Sequence, residues 1–214
     1  MASGGGTRSE SVLFVHGLWM TGVEGLLLRQ RLERAGYATH NFAYSSHQAT
    51  LEEVLSGLET TLRALPSPVH LVGHSLGGLM LLRLFELRPE QPPGRVVLLG
   101  SPAGGSVAAR HVARWTLGPS VLGHLALREI VERKPVKWTL PRELGVLAGS
   151  TSLGLGRLVA DLPEPNDGAV AVEETRVEGA TEHLVLPVSH SGMLVSGEVA
   201  ERVANFLAEG RFGG

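Results

Sequence analysis

The sequence predicts an α/β fold: a mostly parallel central sheet of about six strands, helices on both faces, and a short helical insertion. Three observations carry this. Short apolar runs alternate with amphipathic segments of helical length along the chain. Most of those runs are continuously apolar, as strands covered on both faces are, and do not alternate with polar residues. One run, "VHLVG", passes through "HSLGG" into another apolar stretch, a strand handed to a helix across a cramped turn.

Each element has its own local reason. "SVLFVHG" (11–17) is a buried-strand run closed by glycine. Residues 23–35 show helical spacing in Leu26, Leu27, Leu32 and Ala35 and stop at Gly36. "THNFAYS" (39–45) is the second strand. Residues 49–65 form an amphipathic helix halted by Pro66 and Pro68. Residues 69–73 are the third strand, and Leu76 to Leu87 a helix ending before Pro89. "RVVLLGS" (95–101), "LGVLAGS" (144–150) and "EHLVLPVS" (182–189) supply three more strands, and residues 197–208 a last amphipathic helix. Residues 104–143 break the alternation and read as two helices, 106–116 and 120–134, interrupted by Gly118-Pro119. Residues 1–10 read as a flexible tail, and 11–210 as one domain with the insertion as a cap at the carboxyl edge of the sheet, where ligand crevices of such sheets lie.

Composition removes several function classes. The chain has 214 residues, 43 % hydrophobic, with a formal charge of −2, which fits a globular domain and gives no footprint for nucleic acid. No apolar run reaches the roughly 20 residues of a membrane span. The amino end lacks an apolar h-region, so the expected location is cytoplasmic, without a signal peptide. There is no cysteine, hence no disulfide and no thiol nucleophile. Neither a P-loop nor a dinucleotide fingerprint nor H-E-x-x-H occurs, and the nine histidines are scattered, so no metal and no cofactor is expected.

Gly73-His74-Ser75-Leu76-Gly77 is the one G-x-S-x-G of the chain, and it sits at the strand–helix turn. The turn leaves no room for side chains on either side of the serine, whose strained backbone lifts the hydroxyl above the sheet. A serine that only capped the helix would not need the flanking glycines. A serine hydroxyl needs a base to take its proton, and the base a third group to hold its tautomer. The chain has two aspartates, Asp161 and Asp167. Asp167 lies in the loop "EPNDGAVAV" and is the favoured acid, with Asp161 and Glu164 as alternatives. His190 follows the sixth strand in "PVSHSGML" and is the candidate base. His183 stands at the other end of that strand as a surface residue, and His40, His47, His70, His111 and His124 read as partly solvated. The backbone amide of Leu76, first in its helix, and that of Leu18, after Gly17, are the expected donors to a developing oxyanion. Trp19 either lines an acyl pocket or packs the loop.

These residues resemble the α/β-hydrolase superfamily, and within it the compact bacterial serine lipases and esterases. The resemblance runs from Val12 to about Phe206 through "FVHGLW", "LVGHSLGG", "NDGAVAV" and "VSHSGMLVSGEVAERVANFL". It implies hydrolysis through an acyl-serine intermediate without a cofactor, with Ser75 as nucleophile, Asp167 as acid, His190 as base and the Leu18 and Leu76 amides in the oxyanion hole. The segment 104–143 is longer than in lid-free members.

The insertion carries seven basic and three acidic residues, a net +4. With Trp115, Trp138 and its leucines it suits either a cap against a lipid or anionic surface or a solvated helical cover on the sheet. The expected function is a serine esterase acting on short- to medium-chain acyl esters, small molecules or lipids. An acyl-thioesterase or lipid-anchor deacylase would use the same residues, and a non-catalytic binding protein of this fold remains as a different class. A dehalogenase would need a carboxylate at position 75.

Overall fold

A computed structural model describes residues 10–131, 135–153 and 162–213. Six strands, β1 (Ser11–Val15), β2 (Ala38–Phe42), β3 (Val69–His74), β4 (Val96–Leu99), β5 (Leu144–Gly149) and β6 (Glu182–Leu186), form one sheet in the order β2-β1-β3-β4-β5-β6. Every neighbouring pair is parallel. The chain moves outward from β1 to β2 and then returns to the other side of β1. The order therefore reverses between β1 and β3, and in sheets of this kind ligands bind beyond the carboxyl ends of the strands at such a switch point.

Successive side chains along a strand point to opposite faces, and both faces here are covered. Leu13, Val15, Leu71, Val96, Leu98 and Val146 face one core, shared with α2 (Leu51–Ala64) and α3 (Leu76–Leu87). Val12, Phe14, Val72, Val97, Leu99 and Leu147 face the other, shared with α1 (Leu26–Arg34) and the carboxyl-terminal helix. That two-sided burial is why β1, β3, β4 and β5 are buried throughout, while the edge strands β2 and β6 carry polar residues and are only partly covered. α2 starts with a capping box, in which the Thr50 hydroxyl accepts from Glu53 N–H and the Glu53 carboxylate from Thr50 N–H.

Several sequence expectations shift in detail. α1 buries Leu28 and Leu32, while Leu26 and Leu27 stay exposed. The helix starts only after a 3-10 turn at Val23–Gly25. The insertion holds α4 (Val107–Ala113) and α5 (Gly118–Ala126), so Gly118 opens the second helix instead of interrupting it. The break falls at Gly123, with φ 77° and ψ 162°, and a π-helical turn, Leu127–Val131, continues from there. Residues 132–134 and the tail 1–9 lie outside the described residues. Ala109, Leu122, Leu125, Ala126 and Ile130 join the core of the α2–α3 face. Arg83 of α3 holds the buried Glu129 at 2.9 Å. Arg142, counted with the insertion's charge, lies instead at the amino edge of the sheet. There its guanidinium donates to the carbonyls of Gln91, Pro92 and Gly94 and stacks 4.8 Å over Phe85.

On the other face the last helix, α6 (Gly197–Glu209), buries Val199, Val203, Phe206 and Leu207. The Phe206 ring packs 4.8 Å from Phe212, and both rings fill the space that Gly145 of β5 leaves free. Phe206→Ala should cost about 3–5 kcal/mol of stability, read as a lower denaturant midpoint, because a cavity replaces a fully buried ring.

Histidines are buried in this sheet to an extent that the sequence does not convey. His70 is 3 % exposed instead of partly solvated, since β3 is central, and its Nδ1 accepts from Arg95 N–H at 2.9 Å. His183 is half-buried, not a surface residue, and bonds Thr175 Oγ1 at 2.8 Å. His16 and His74 are fully buried. Burial lowers the proton affinity of His16, His70 and His74 below the ordinary 6.5. The unfolded chain then binds protons that the fold resists. Stability should be highest above about pH 6.5 and fall below it, by about 1.4 kcal/mol per pH unit for each histidine held neutral. Denaturant unfolding at about pH 7.5 and about pH 5.5 checks this; equal stability at both would contradict it.

Candidate active site

Ser75 sits between β3 and α3 with φ 54° and ψ −122°. Trp19 has φ 59°, and these two are the positive-φ non-glycine residues among those described. Such backbone strain costs on the order of 1–3 kcal/mol per residue and persists only where the surroundings enforce it. At Ser75 the surroundings are close. A Cβ on Gly73 would stand 2.6 Å from Gly78 Cα, and one on Gly77 would run into the carbonyl oxygens of Val15 and His16. The two glycines thus serve different contacts: Gly73 lets α3 fold back on its own strand, and Gly77 lets it press on the end of β1. Ser75 N–H donates to Leu99 O of β4 at 2.9 Å, which fastens the turn to the next strand.

Asp167 is fully buried after β5, and its Oδ1 accepts from Ala169 N–H at 2.9 Å and Val170 N–H at 2.7 Å. Its Oδ2 faces His190 Nδ1 at 2.7 Å, while its backbone carbonyl accepts from His190 N–H at 2.9 Å. A carboxylate can only accept, so His190 Nδ1 carries the proton, and in the neutral imidazole that leaves Nε2 as the acceptor. The structure therefore brings the sequence-predicted acid and base together. Asp161 lies outside the described residues, and Glu164 is exposed. The His190 ring lies 4.6 Å from the ring of His74, the residue before Ser75. Among the described residues the Ser75 hydroxyl makes no hydrogen bond. Bonds of this kind are commonly long until substrate is bound.

The loop after β1 is held from one side. His16 Nδ1–H donates to Gly17 O at 2.9 Å, so Nε2 is bare and accepts Tyr44 N–H at 3.3 Å. The Tyr44 hydroxyl donates to His16 O at 3.0 Å, and its ring stacks on the imidazole at 4.5 Å. In a trans peptide the C=O and N–H point oppositely, so tying Gly17 O to His16 turns Leu18 N–H to the other side. Neither Leu18 N–H nor Leu76 N–H donates to any group among the described residues. The Gly17 backbone approaches Ser75, since a Cβ on Gly17 would lie 3.0 Å from Ser75 Cβ. Trp19 is 60 % exposed, its N–H donates to Ser46 Oγ at 3.0 Å, and it lines a shallow cavity of about 470 Å³ with Tyr44 and His47.

Two contributors escape the sequence reading. A Cβ on Gly100 would stand 3.0 Å from Asp167 Oδ2 and 3.1 Å from His190 Nδ1, and one on Gly149 would stand 2.8 Å from Asp167 Cβ. Glycines at the ends of β4 and β5 thus leave the trench in which the pair lies. The available signal is the shared Gly-Ser ending of "RVVLLGS" and "LGVLAGS". Glu174 is the other. Its carboxylate accepts from Val107 N–H at 2.5 Å and Ala171 N–H at 2.9 Å, tying the start of α4 to the Asp167 loop, and burial raises its proton affinity. Among the described residues no group of three or more His, Asp or Glu side chains can hold a metal ion, and no helix is long and apolar enough to cross a membrane.

Comparison with known proteins agrees with this architecture. No curated protein matches the sequence. A solved Bacillus licheniformis lipase superposes with a TM-score of 0.72 at 20 % identity, over 94 % of this chain and 50 % of that one, so the chain spans half the length of that lipase. A Streptomyces coelicolor thioesterase of prodiginine biosynthesis matches with a TM-score of 0.57 at 15 % identity, covering 93 % of this chain and 84 % of that one. A monoacylglycerol lipase of Paleococcus ferrophilus matches with 0.56 at 18 % identity, covering 93 % and 92 %. A family model described as "Alpha/beta hydrolase family" matches residues 12–206, and the chain belongs to that family.

Proposed function

We propose that the protein is a serine esterase acting on short- to medium-chain acyl esters, with Ser75, His190 and Asp167 as its triad. The observation that carries this reading is the 2.7 Å contact between His190 Nδ1 and Asp167 Oδ2, made beside the strained turn that holds Ser75. His190 Nε2 takes the proton from Ser75 Oγ as the oxygen attacks the ester carbonyl carbon. The carbonyl electrons move onto oxygen, and the Leu18 and Leu76 amides receive that negative charge. Collapse of the tetrahedral species expels the alcohol, which takes the proton back from His190. Water then attacks the acyl-serine with His190 again as base, and the acid product leaves. A preorganised pair of amides suits this step, since losing one such donor typically costs about 2.7–4 kcal/mol of barrier.

The Trp19 side chain, exposed at the loop that carries Leu18, forms one wall for the substrate. The segment between β4 and β5 acts as the cap. Trp115 and Leu117, 47 % and 71 % exposed, follow Arg110 and Arg114 in sequence, a composition that supports contact with a lipid surface.

Turnover of a p-nitrophenyl ester series against matched acyl thioesters tests the reading. Ser75→Ala should abolish hydrolysis, with kcat down by about 10⁴-fold or more, while the variant stays folded by circular dichroism. Undiminished cleavage would remove Ser75 from the mechanism, and strong preference for thioesters would move the protein to acyl-thioester hydrolysis by the same residues. Asp167→Ala should lower kcat by about 10³–10⁴-fold with KM little changed, because the carboxylate acts through His190 and not on bound substrate.

A further inference from the structure

His74 has no part in the chemistry above, yet among the described residues it makes the one side-chain hydrogen bond that joins the Ser75 turn to the His190 loop. Its Nε2 lies 3.0 Å from the backbone carbonyl oxygen of His190. A carbonyl only accepts, so Nε2 carries a proton. The ring is fully buried, and burial, together with the neighbouring His190, lowers its pKa to about 3. It is therefore neutral throughout the working pH range, with a bare Nδ1. That nitrogen has no hydrogen-bond partner among the described residues.

A buried acceptor without a protein partner is a cost that an apolar side chain of similar size would avoid. Packing alone thus gives no reason for histidine here. What histidine adds is the Nε2–H bond to His190 O and a flat neutral face 4.6 Å from the His190 ring. His190 is otherwise held from one side, by Asp167 through Nδ1 and through its own N–H. His74 holds it from the other. Residue 74 also directly precedes the strained Ser75, so the bond sets the base loop in register with the serine.

We infer that His74 is a positioning residue, which fixes His190 relative to Ser75 through its hydrogen bond to the His190 carbonyl. The inference rests on the proposed roles of Ser75 and His190. A small displacement of a base from its reacting partner can cost on the order of 10²-fold.

The test compares His74→Leu, His74→Gln and His74→Asn with the unaltered protein. The Gln amide nitrogen reaches the place of Nε2, and the shorter Asn amide does not. On a soluble p-nitrophenyl ester, His74→Leu should lower kcat by about 10–100-fold with KM changed by less than about threefold. His74→Gln should recover most of the rate, and His74→Asn should not. In proton NMR, the downfield signal of the His190 Nδ1–H shared with Asp167 should broaden or vanish in His74→Leu and persist in His74→Gln. Unchanged kcat and an unchanged signal in His74→Leu would overturn the inference. So would equal impairment of the Gln and Asn variants, a comparison that decides the matter if His74→Leu does not fold. Ser75→Ala and His190→Ala separate the two ideas: if they retain turnover the esterase reading falls, and if they lose it while His74→Leu does not, only the positioning role falls.

Discussion

The constraint on which the site depends is the space between the end of β3 and the start of α3. The helix lies so close to its own strand and to the last carbonyls of β1 that only hydrogen fits at positions 73 and 77. Ser75 has no relaxed conformation in that gap and adopts φ 54°. A strain of about 1–3 kcal/mol is small beside what holds the helix in place. Leu76, Leu79, Met80, Leu81, Leu82, Leu84 and Phe85 are all buried, and each such side chain contributes about 1.5–3 kcal/mol. One packing decision therefore does three things: it raises the serine above the sheet, leaves the first helical amide without a partner, and drives His74 inward.

The rest of the site is built from the ends of neighbouring strands, which is how residues 92 and 115 positions away from Ser75 arrive beside it. Parallel strands in register finish along one edge, and that edge gathers the loops after β1, β3, β4, β5 and β6. Glycines at the ends of β4 and β5 keep the edge low where Asp167 and His190 meet. Glu174 then links the Asp167 loop to the first turn of α4. The insertion is thereby tied to the Asp167 loop, and its apolar stripe also closes the core on the α2–α3 face. It serves as structure whatever else it does.

What could be read from the sequence followed from physics that is local or periodic. Strands buried on both faces must be apolar throughout, so the runs of β1, β3, β4 and β5 stood out, and the glycines around Ser75 announce a turn without room for side chains. Features fixed by three-dimensional context stayed hidden. α1 is preceded by a 3-10 turn and buries Leu28 and Leu32, α5 carries a further kink at Gly123 beyond the break before Gly118, and Arg142 lies at the opposite edge of the sheet, where backbone carbonyls of residues 91, 92 and 94 receive it. His70 and His183 are polar residues whose burial is a property of the sheet and not of the tripeptide: His70 lies in the central strand β3, and His183 lies in the edge strand β6. Gly100 and Gly149 could have been suspected from their matching strand endings, and only the fold shows what they make room for.

Electrostatics of the cluster follow from the same burial. Burial lowers the pKa of His16 and lowers that of His74 to about 3, and Asp167 is the carboxyl group in contact with His190. On the proposed chemistry His190 becomes positively charged as Ser75 loses its proton. A second positive charge at 4.6 Å, the separation of the two rings, would oppose that step by about 3–4 kcal/mol at an effective dielectric constant of about 20, more than two powers of ten in rate. A lysine at position 74 would bring such a charge. Histidine can supply the hydrogen-bond donor without it, because His74 is fully buried and burial disfavours its charged form. The burial that makes the turn costly is thus what keeps a proton donor beside the base uncharged.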